Sequence, residues 1–332
     1  MGELVFPASY VVRQTLSGHS LASDFIRKAF YDAPGERERN FFADAFAQMV
    51  EASQGQDPSG LFRDVLIWDA GGRPMAFDVD LSNGQFMGAA RFVDIFKWGY
   101  EPEILALLAK FLGPDDVLFD IGSNWGYFCW HVLLDPGFRG SVVAFEPARQ
   151  SFRDLARICR FAKLDERVKH LEVALGDRSA VMTLSNDIWS GNRTLSDQPD
   201  SGELVRVETL DSFNLPDPSF IKLDVENFEA QALHGGRALI ERTTPMIVFE
   251  NWLRSAPEDG PDPFRLLSAF GYRFFLPVFR PLSDFSESLP ARVEGSLVLR
   301  EFAPEERGGL AERINVFACP PSRLDALGPA TS

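Results

Sequence analysis

The stretch Val117-Leu118-Phe119-Asp120-Ile121-Gly122-Ser123-Asn124-Trp125-Gly126-Tyr127-Phe128 leaves this chain few folds to choose from. A short apolar run bounded by turn residues reads as a buried strand. It carries an acid near its end and runs into a glycine-bearing turn, and a helix is expected to start near Trp125. Strand, glycine turn and helix N-terminus form the local unit of a doubly wound α/β sheet and make a cradle for a nucleotide-type ligand. Without a Cβ, Gly122 and Gly126 let the loop take positive φ and let a ligand approach the main chain.

The residues between the glycines narrow the ligand. A dinucleotide fingerprint, GxGxxG, holds a pyrophosphate on the helix dipole. Here the pattern is Asp120-x-Gly122-x-Asn124-x-Gly126, with asparagine at the middle glycine. A carboxylate at Asp120 repels phosphate but suits a ligand bearing an ammonium or hydroxyls. S-adenosylmethionine (SAM) has an amino acid end, a ribose, an adenine and no phosphate. The next predicted strand, Ser141-Val142-Val143-Ala144-Phe145-Glu146, closes on a second acid, which can accept both ribose hydroxyls. An ordinary βαβ unit without a ligand would explain the glycine turn alone, but not the whole set.

The chain has 332 residues, enough for a large core with additions. Its net charge of −15 argues against nucleic acid or anionic membranes as unassisted partners, since both favour a basic surface. Cys129, Cys159 and Cys319 lie in predicted apolar elements without CxxC spacing, so buried free thiols in a reducing, cytoplasmic setting are expected. Neither a signal peptide nor a membrane-length apolar run is read from the sequence.

Three divisions are expected: a helical and hairpin N-terminal extension over 1–97, a catalytic domain over 98–320, and a flexible tail over 321–332. Phe25, Ile26, Ala29 and Phe30 make one apolar stripe, and Phe41, Phe42, Phe46, Met49 and Val50 another. They would pack on the domain, on a second copy in a homodimer, or on a greasy acceptor. A hairpin is expected from Leu61–Trp68 and Pro74–Leu81 around Asp69-Ala70-Gly71-Gly72. Beyond it, strands and helices alternate: strands at 117–121, 141–146, 168–174, 220–225, 246–250, 272–276 and 314–318, with one helix over 227–240. This alternation predicts a mostly parallel, seven-stranded sheet with helices on both faces. The segment 279–312 and the loop 185–202 are read as candidate lids.

Ligands of open α/β sheets bind outside the carboxyl ends of the strands. Four predicted parallel strands end at or beside an acid there: Asp120, Glu146, Asp224 and Glu250. Glu226 follows two residues after Asp224.

These motifs, together with Tyr100-Glu101-Pro102-Glu103, Ala144-Phe145-Glu146-Pro147, Ala174-Leu175-Gly176-Asp177, Ile221-Lys222-Leu223-Asp224-Val225-Glu226-Asn227-Phe228-Glu229 and Phe249-Glu250, resemble the FkbM family of SAM-dependent methyltransferases over about residues 98–320. The chain departs from the family pattern at Ser123, Asn227 and His234-Gly235-Gly236. The resemblance implies a class I, Rossmann-like methyltransferase fold and O-methylation of sugar or secondary-metabolite hydroxyls. It implies that Tyr100, Asp120 and the loop of Gly122, Ser123, Asn124 and Gly126 hold the methionine part of SAM, that Glu146 holds the ribose, and that Leu175 and Asp177 edge the adenine. Asp224 and Glu226 would face the methyl group and acceptor.

Methyl transfer to an alcohol needs alignment and a proton acceptor. Asp224, Glu226, His234 and Glu250 are the candidates. No spacing here is diagnostic of a metal, so base or orienting roles are preferred over magnesium ligation. The expectation is a SAM-dependent O-methyltransferase acting on a small molecule or glycan intermediate. The alternatives are a Rossmann-type NAD-dependent oxidoreductase, disfavoured by Asp120 and Asn124, and a non-catalytic SAM-binding interaction protein.

Overall fold

Val117–Ile121 does form a buried strand, and it sits inside a nine-stranded sheet. The computed structural model describes residues 3–12, 14–17, 64–68, 74–78, 98–185, 194–197, 202–251, 261–282, 291–310 and 314–328. In chain order these residues form β1 (Glu3–Val12), β2 (Gln14–Ser17), β3 (Asp64–Trp68), β4 (Pro74–Asp78), α1 (Pro102–Phe111), β5 (Val117–Ile121), α2 (Tyr127–Leu133), β6 (Ser141–Phe145), α3 (Arg149–Phe161), β7 (Val168–Leu171) and β8 (Ala174–Leu175). Then come β9 (Ala180–Ser185), β10 (Leu195–Ser196), β11 (Gly202–Glu208), β12 (Phe220–Leu223), α4 (Glu229–Gly235), α5 (Arg237–Thr243), β13 (Met246–Asn251), α6 (Pro263–Ala269), β14 (Arg273–Pro281), β15 (Ala291–Phe302) and β16 (Ile314–Cys319).

The large sheet has the order β1-β15-β14-β16-β13-β12-β5-β6-β7. From β13 to β7 every neighbouring pair is parallel, and from β13 to β1 every pair is antiparallel. The expected seven-stranded, mostly parallel sheet is therefore corrected to a mixed, nine-stranded one. Side-chain alternation sorts its core into two layers. Leu118, Val142, Ala144 and Val248 pack with Trp125 of the loop and with α1–α3 residues, including Trp130. Phe119, Val143, Phe145 and Phe249 pack with Leu233, Ile240 and Phe264 on the opposite layer.

The two strands added beyond the expected seven come from segments whose sequence points elsewhere. Residues 3–12 are strand rather than helix. Leu4, Phe6 and Ala8 pack on the core, Tyr10 and Val12 are buried, and Val5 is exposed, which is a period of two. All ten residues pair antiparallel with β15. In the segment expected to be a lid, residues 291–302 are that β15. The expected helix over 227–240 is two helices that meet at Gly236, where an added Cβ would lie 2.9 Å from Leu210 Cδ2. The tail is not wholly flexible, since Pro321–Leu327 forms a 3-10 helix with Leu327 buried.

The hairpin of β3 and β4 forms as expected, and β2 pairs with β3. The apolar stripes over 25–50 lie outside the described residues. The three cysteines are free and buried. Among the described residues, no helix is long and apolar enough to cross a membrane.

Candidate cofactor cleft and acidic site

The loop after β5 is held in a conformation that only its own sequence permits. Gly122, Asn124 and Gly126 have φ of 74°, 53° and 89°. A Cβ on Gly122 would lie 1.7 Å from the carbonyl oxygen of Asp224. The N–H groups of Gly122 and Ser123 both donate to Phe145 O, at 2.9 and 3.0 Å, which ties the loop to β6. At the end of β6, Glu146 accepts from Asn124 N and from Ala148 N, each at 2.8 Å. Its buried carboxylate thus fastens the loop to the start of α3.

Gly122, Asn124, Glu146, Leu175, Asp224 and Glu226 line the cleft above these strand ends, with Val173 and Leu184 supplying apolar wall. The lining fits SAM. Asn124 Oδ1 is buried there without a hydrogen-bond partner, which suits a donor from the ligand. Glu146 lines the same cleft with a carboxylate, the group type that accepts from ribose hydroxyls. No Lys, Arg or His occurs among the described lining residues, so a pyrophosphate would meet carboxylates unsupported.

Beneath the loop lies a buried ion cluster. Lys222 stands opposite Asp120 in the parallel register of β12 and β5. Its Nζ is 3.4 Å from Asp120 Oδ1 and 3.3 Å from Asp224 Oδ2, and it donates to Gly122 O at 3.1 Å. Burial opposes the charge, but Asp224, Asp120 and Glu101 together hold the ammonium above the ordinary lysine range. Cys129 Sγ donates to Asp120 Oδ2 at 3.1 Å, its thiol kept protonated by burial and by the adjacent carboxylate.

At the rim, Asp224, Glu226 and Glu250 bring one carboxylate oxygen each within 4.8 Å of the others. Glu226 and Asn227 have φ of 52° and 71°, a strained pair that turns the chain here. Glu250 also lines a second pocket with Glu101, Glu103 and Asn315. Asn315 Nδ2 donates to Glu101 at 3.2 Å and to Glu103 at 2.9 Å. Burial, then Asp224 and Glu103, push the Glu101 carboxyl up to about 8. Glu229, buried behind the rim, accepts from Val225 N at 3.2 Å and is likewise pushed up to about 8, chiefly by burial.

Several expected site residues lie elsewhere. His234 is exposed on α4, because Ala230, Ala232 and Leu233 take the inward face; it does not line the cleft. Asp177 is exposed and faces Arg178 rather than an adenine pocket. Asp120 is wholly buried under the loop instead of lining the cleft. Ser123 bonds Phe145 O, and Gly126 caps α2 where a Cβ would meet Leu155 at 2.3 Å. Tyr100 packs on Tyr127 and Phe128, outside the lining. Of the remaining expected residues, Gly122, Asn124, Glu146, Leu175, Asp224 and Glu226 line the cleft, and Glu250 lines the second pocket with its carboxylate near those of Asp224 and Glu226. Sequence reasoning misses Lys222 as a site residue, although a lysine inside a buried parallel strand is itself a signal, because its charge needs partners. It misses Glu101 and Glu229 as well.

The parallel half of the sheet thus carries a glycine loop with acids at the neighbouring strand ends. The family model of the methyltransferase FkbM domain matches residues 120–274 of this chain. The hexuronic acid methyltransferase AglP of Haloferax volcanii is 26% identical over 152 residues, which are 45% of this chain and 61% of that protein. The chain thus spans about three fifths of that curated relative. Among solved structures, the methyltransferase FkbM from Methylobacillus flagellatus KT shares 15% identity at a TM-score of 0.41, covering 79% of this chain and 60% of that one. Precorrin-6y C5,15-methyltransferase from Geobacter metallireducens GS-15 shares 15% identity at a TM-score of 0.33, covering 61% and 89%.

Proposed function

We propose that this chain is a SAM-dependent O-methyltransferase whose acceptor is a hydroxyl of a small molecule or glycan intermediate. The observation that carries the reading is the proximity of Asp224 and Glu226, which line one pocket, to Glu250, which lines another, with their carboxylate oxygens within 4.8 Å. One pocket offers Glu146, Asn124 and Leu175 to a nucleoside and amino acid ligand. The other offers acids and an apolar wall to an acceptor. A relative named for acting on hexuronic acid supports a carbohydrate acceptor.

When bound, SAM supplies a methyl group on a sulfonium. Glu146 would hold the ribose hydroxyls, and Leu175 with Val173 would take the adenine face. Gly122 allows the main chain close to the ligand. Asp224 has one oxygen 3.3 Å from the Lys222 ammonium, which fixes the direction of its carboxylate. The acceptor hydroxyl loses its proton during transfer, and Asp224 takes it, with Glu226 and Glu250 orienting the acceptor. The sulfonium charge is also matched by these acids.

The test is release of S-adenosylhomocysteine from SAM across a panel of hydroxylated acceptors. Turnover that needs a free hydroxyl and falls in Asp224→Asn supports the reading. Turnover unchanged in Asp224→Asn would remove Asp224 from its role, and transfer to carboxylates or amines alone would remove the O-methyl reading of hydroxyls.

A further inference from the structure

We propose that the pocket formed by the start of α1, β14 and the start of β16 is the acceptor subsite, and that it selects an acceptor bearing a positively charged amine on a polyhydroxylated ring over one bearing a carboxylate. The proposal rests on the methyltransferase reading and names the substrate class of that same site.

Position comes first. Glu250 lines this pocket, and its carboxylate lies within 4.8 Å of those of Asp224 and Glu226, which line the cofactor cleft. The two pockets are therefore bridged by three neighbouring carboxylates. Leu276 and Val278 also line it, and Val278 is 45% exposed, so an apolar surface is available to the face of a sugar ring.

The polar lining sets the charge. Glu101, Glu103, Glu250 and Asn315 are its polar members. Glu101 caps α1 with a φ of 47°, a left-handed conformation that a glutamate rarely adopts. Its Oε1 is occupied by Asn315, whereas its Oε2 is buried with no hydrogen-bond partner. A buried acceptor in that state is completed by a donor on a ligand. Asn315 Nδ2, already shared between Glu101 and Glu103, brings no net charge. Lys222 does not line the pocket, although its charge is felt at Glu101. It is 3% exposed and is committed to Asp120, Asp224 and Gly122 O. A carboxylate entering here would thus find no cation among the described lining residues, while an ammonium would find three carboxyl groups. Burial is the largest cause of the raised proton affinity of Glu101; Asp224 and Glu103 add to it, and Lys222 opposes it.

Three probes on one ring scaffold test this: glucosamine, glucose and glucuronate. Their affinities are measured by calorimetric competition on the full chain saturated with S-adenosylhomocysteine, whose own binding is recorded first. Glucosamine is expected to bind about tenfold or more tighter than glucuronate, with glucose between, since one unopposed charge contact is of that order. Glu101→Gln and Glu250→Gln should each shrink that ratio severalfold, while Asp217→Asn, at an exposed ion pair with Arg242, should leave it unchanged. Glucuronate binding as well as glucosamine, no order among the three, or an order insensitive to both glutamine variants would overturn the proposal. Glucuronate binding that requires magnesium would assign the acids to a metal ion and overturn it too. Failure of S-adenosylhomocysteine to bind would sink the methyltransferase reading instead, so the two failures are told apart.

Discussion

Lys222 faces Asp120 across two adjacent parallel strands, Nζ to Oδ1 at 3.4 Å, with 3% and 0% of the side chains exposed. The same ammonium reaches Asp224 at the cleft and the carbonyl of Gly122 in the loop. One buried cation thus joins the floor of the site to the cofactor loop and to the proposed base. The strand-end acids therefore play different roles. Asp120 is a partner inside the protein, and Asp224 is presented by that partnership.

Removing Lys222 should be costly. In Lys222→Met, Asp120 is left buried without its cation, a defect that typically costs about 3–5 kcal/mol. Urea unfolding should show a loss of that order, and the double variant Lys222→Met with Asp120→Asn should recover a large part of it. A single-variant loss below about 1 kcal/mol would mean that the pair is not organising the site.

Gly122→Ala should abolish cofactor binding before it abolishes folding. The new Cβ would lie 1.7 Å from Asp224 O at a φ of 74°, so the loop must move away from β12. Far-ultraviolet circular dichroism should remain native-like while SAM affinity falls by more than tenfold. Native affinity in this variant would contradict the loop geometry.

His234 and Asp224 should separate cleanly in kinetics. His234→Ala removes an exposed helix residue and should change stability by less than about 0.5 kcal/mol and leave turnover intact. Asp224→Asn should lower kcat by roughly 10²–10⁴-fold, the range of a lost general base. The reverse ranking would restore His234 as the base.

Glu229 should leave a signature in the pH dependence of stability. Its carboxyl is raised from the ordinary 4.5 to about 8 in the folded protein, mainly by burial. The folded state therefore holds this proton more tightly than the unfolded state does. Its contribution is fully present below about 4.5 and is lost as pH rises toward about 8. Glu229→Gln, which stays neutral, should gain melting temperature relative to the wild type across that window and hold a constant difference above it. A difference that is flat from pH 4.5 to 8 would contradict the raised proton affinity.

Much of the parallel half is legible in the sequence because its strands are buried on both faces. Continuous apolar runs such as Val142 to Phe145, closed by Glu146, leave little doubt about where the strand and its ligand edge lie. The antiparallel half is not legible in the same way. β1 pairs with β15 across nearly the whole chain, Glu3 with Arg300, and no local pattern encodes such a partner. The segment 279–312 reads as a lid because it inserts before the last strand, while the partner that makes part of it a strand lies at the other end of the chain. The site divides along the same line. Glu146 and Asp224 declare themselves by their positions at strand ends. Asp120 is misplaced by sequence reasoning because a strand has two faces, and only the lysine opposite shows which one the acid occupies. His234 draws attention by residue type alone, since its own helix spacing puts it outside.

The most direct test of the central claim is a calorimetric titration of the full chain with SAM, S-adenosylhomocysteine and NAD, comparing the wild type with Glu146→Ala, each checked for a cooperative melt. The expected result is micromolar binding of SAM and S-adenosylhomocysteine, no binding of NAD, and loss of the adenosyl ligands in Glu146→Ala through loss of the ribose contact and of the anchor at Asn124 N. NAD binding in place of SAM, or SAM binding indifferent to Glu146, would contradict it.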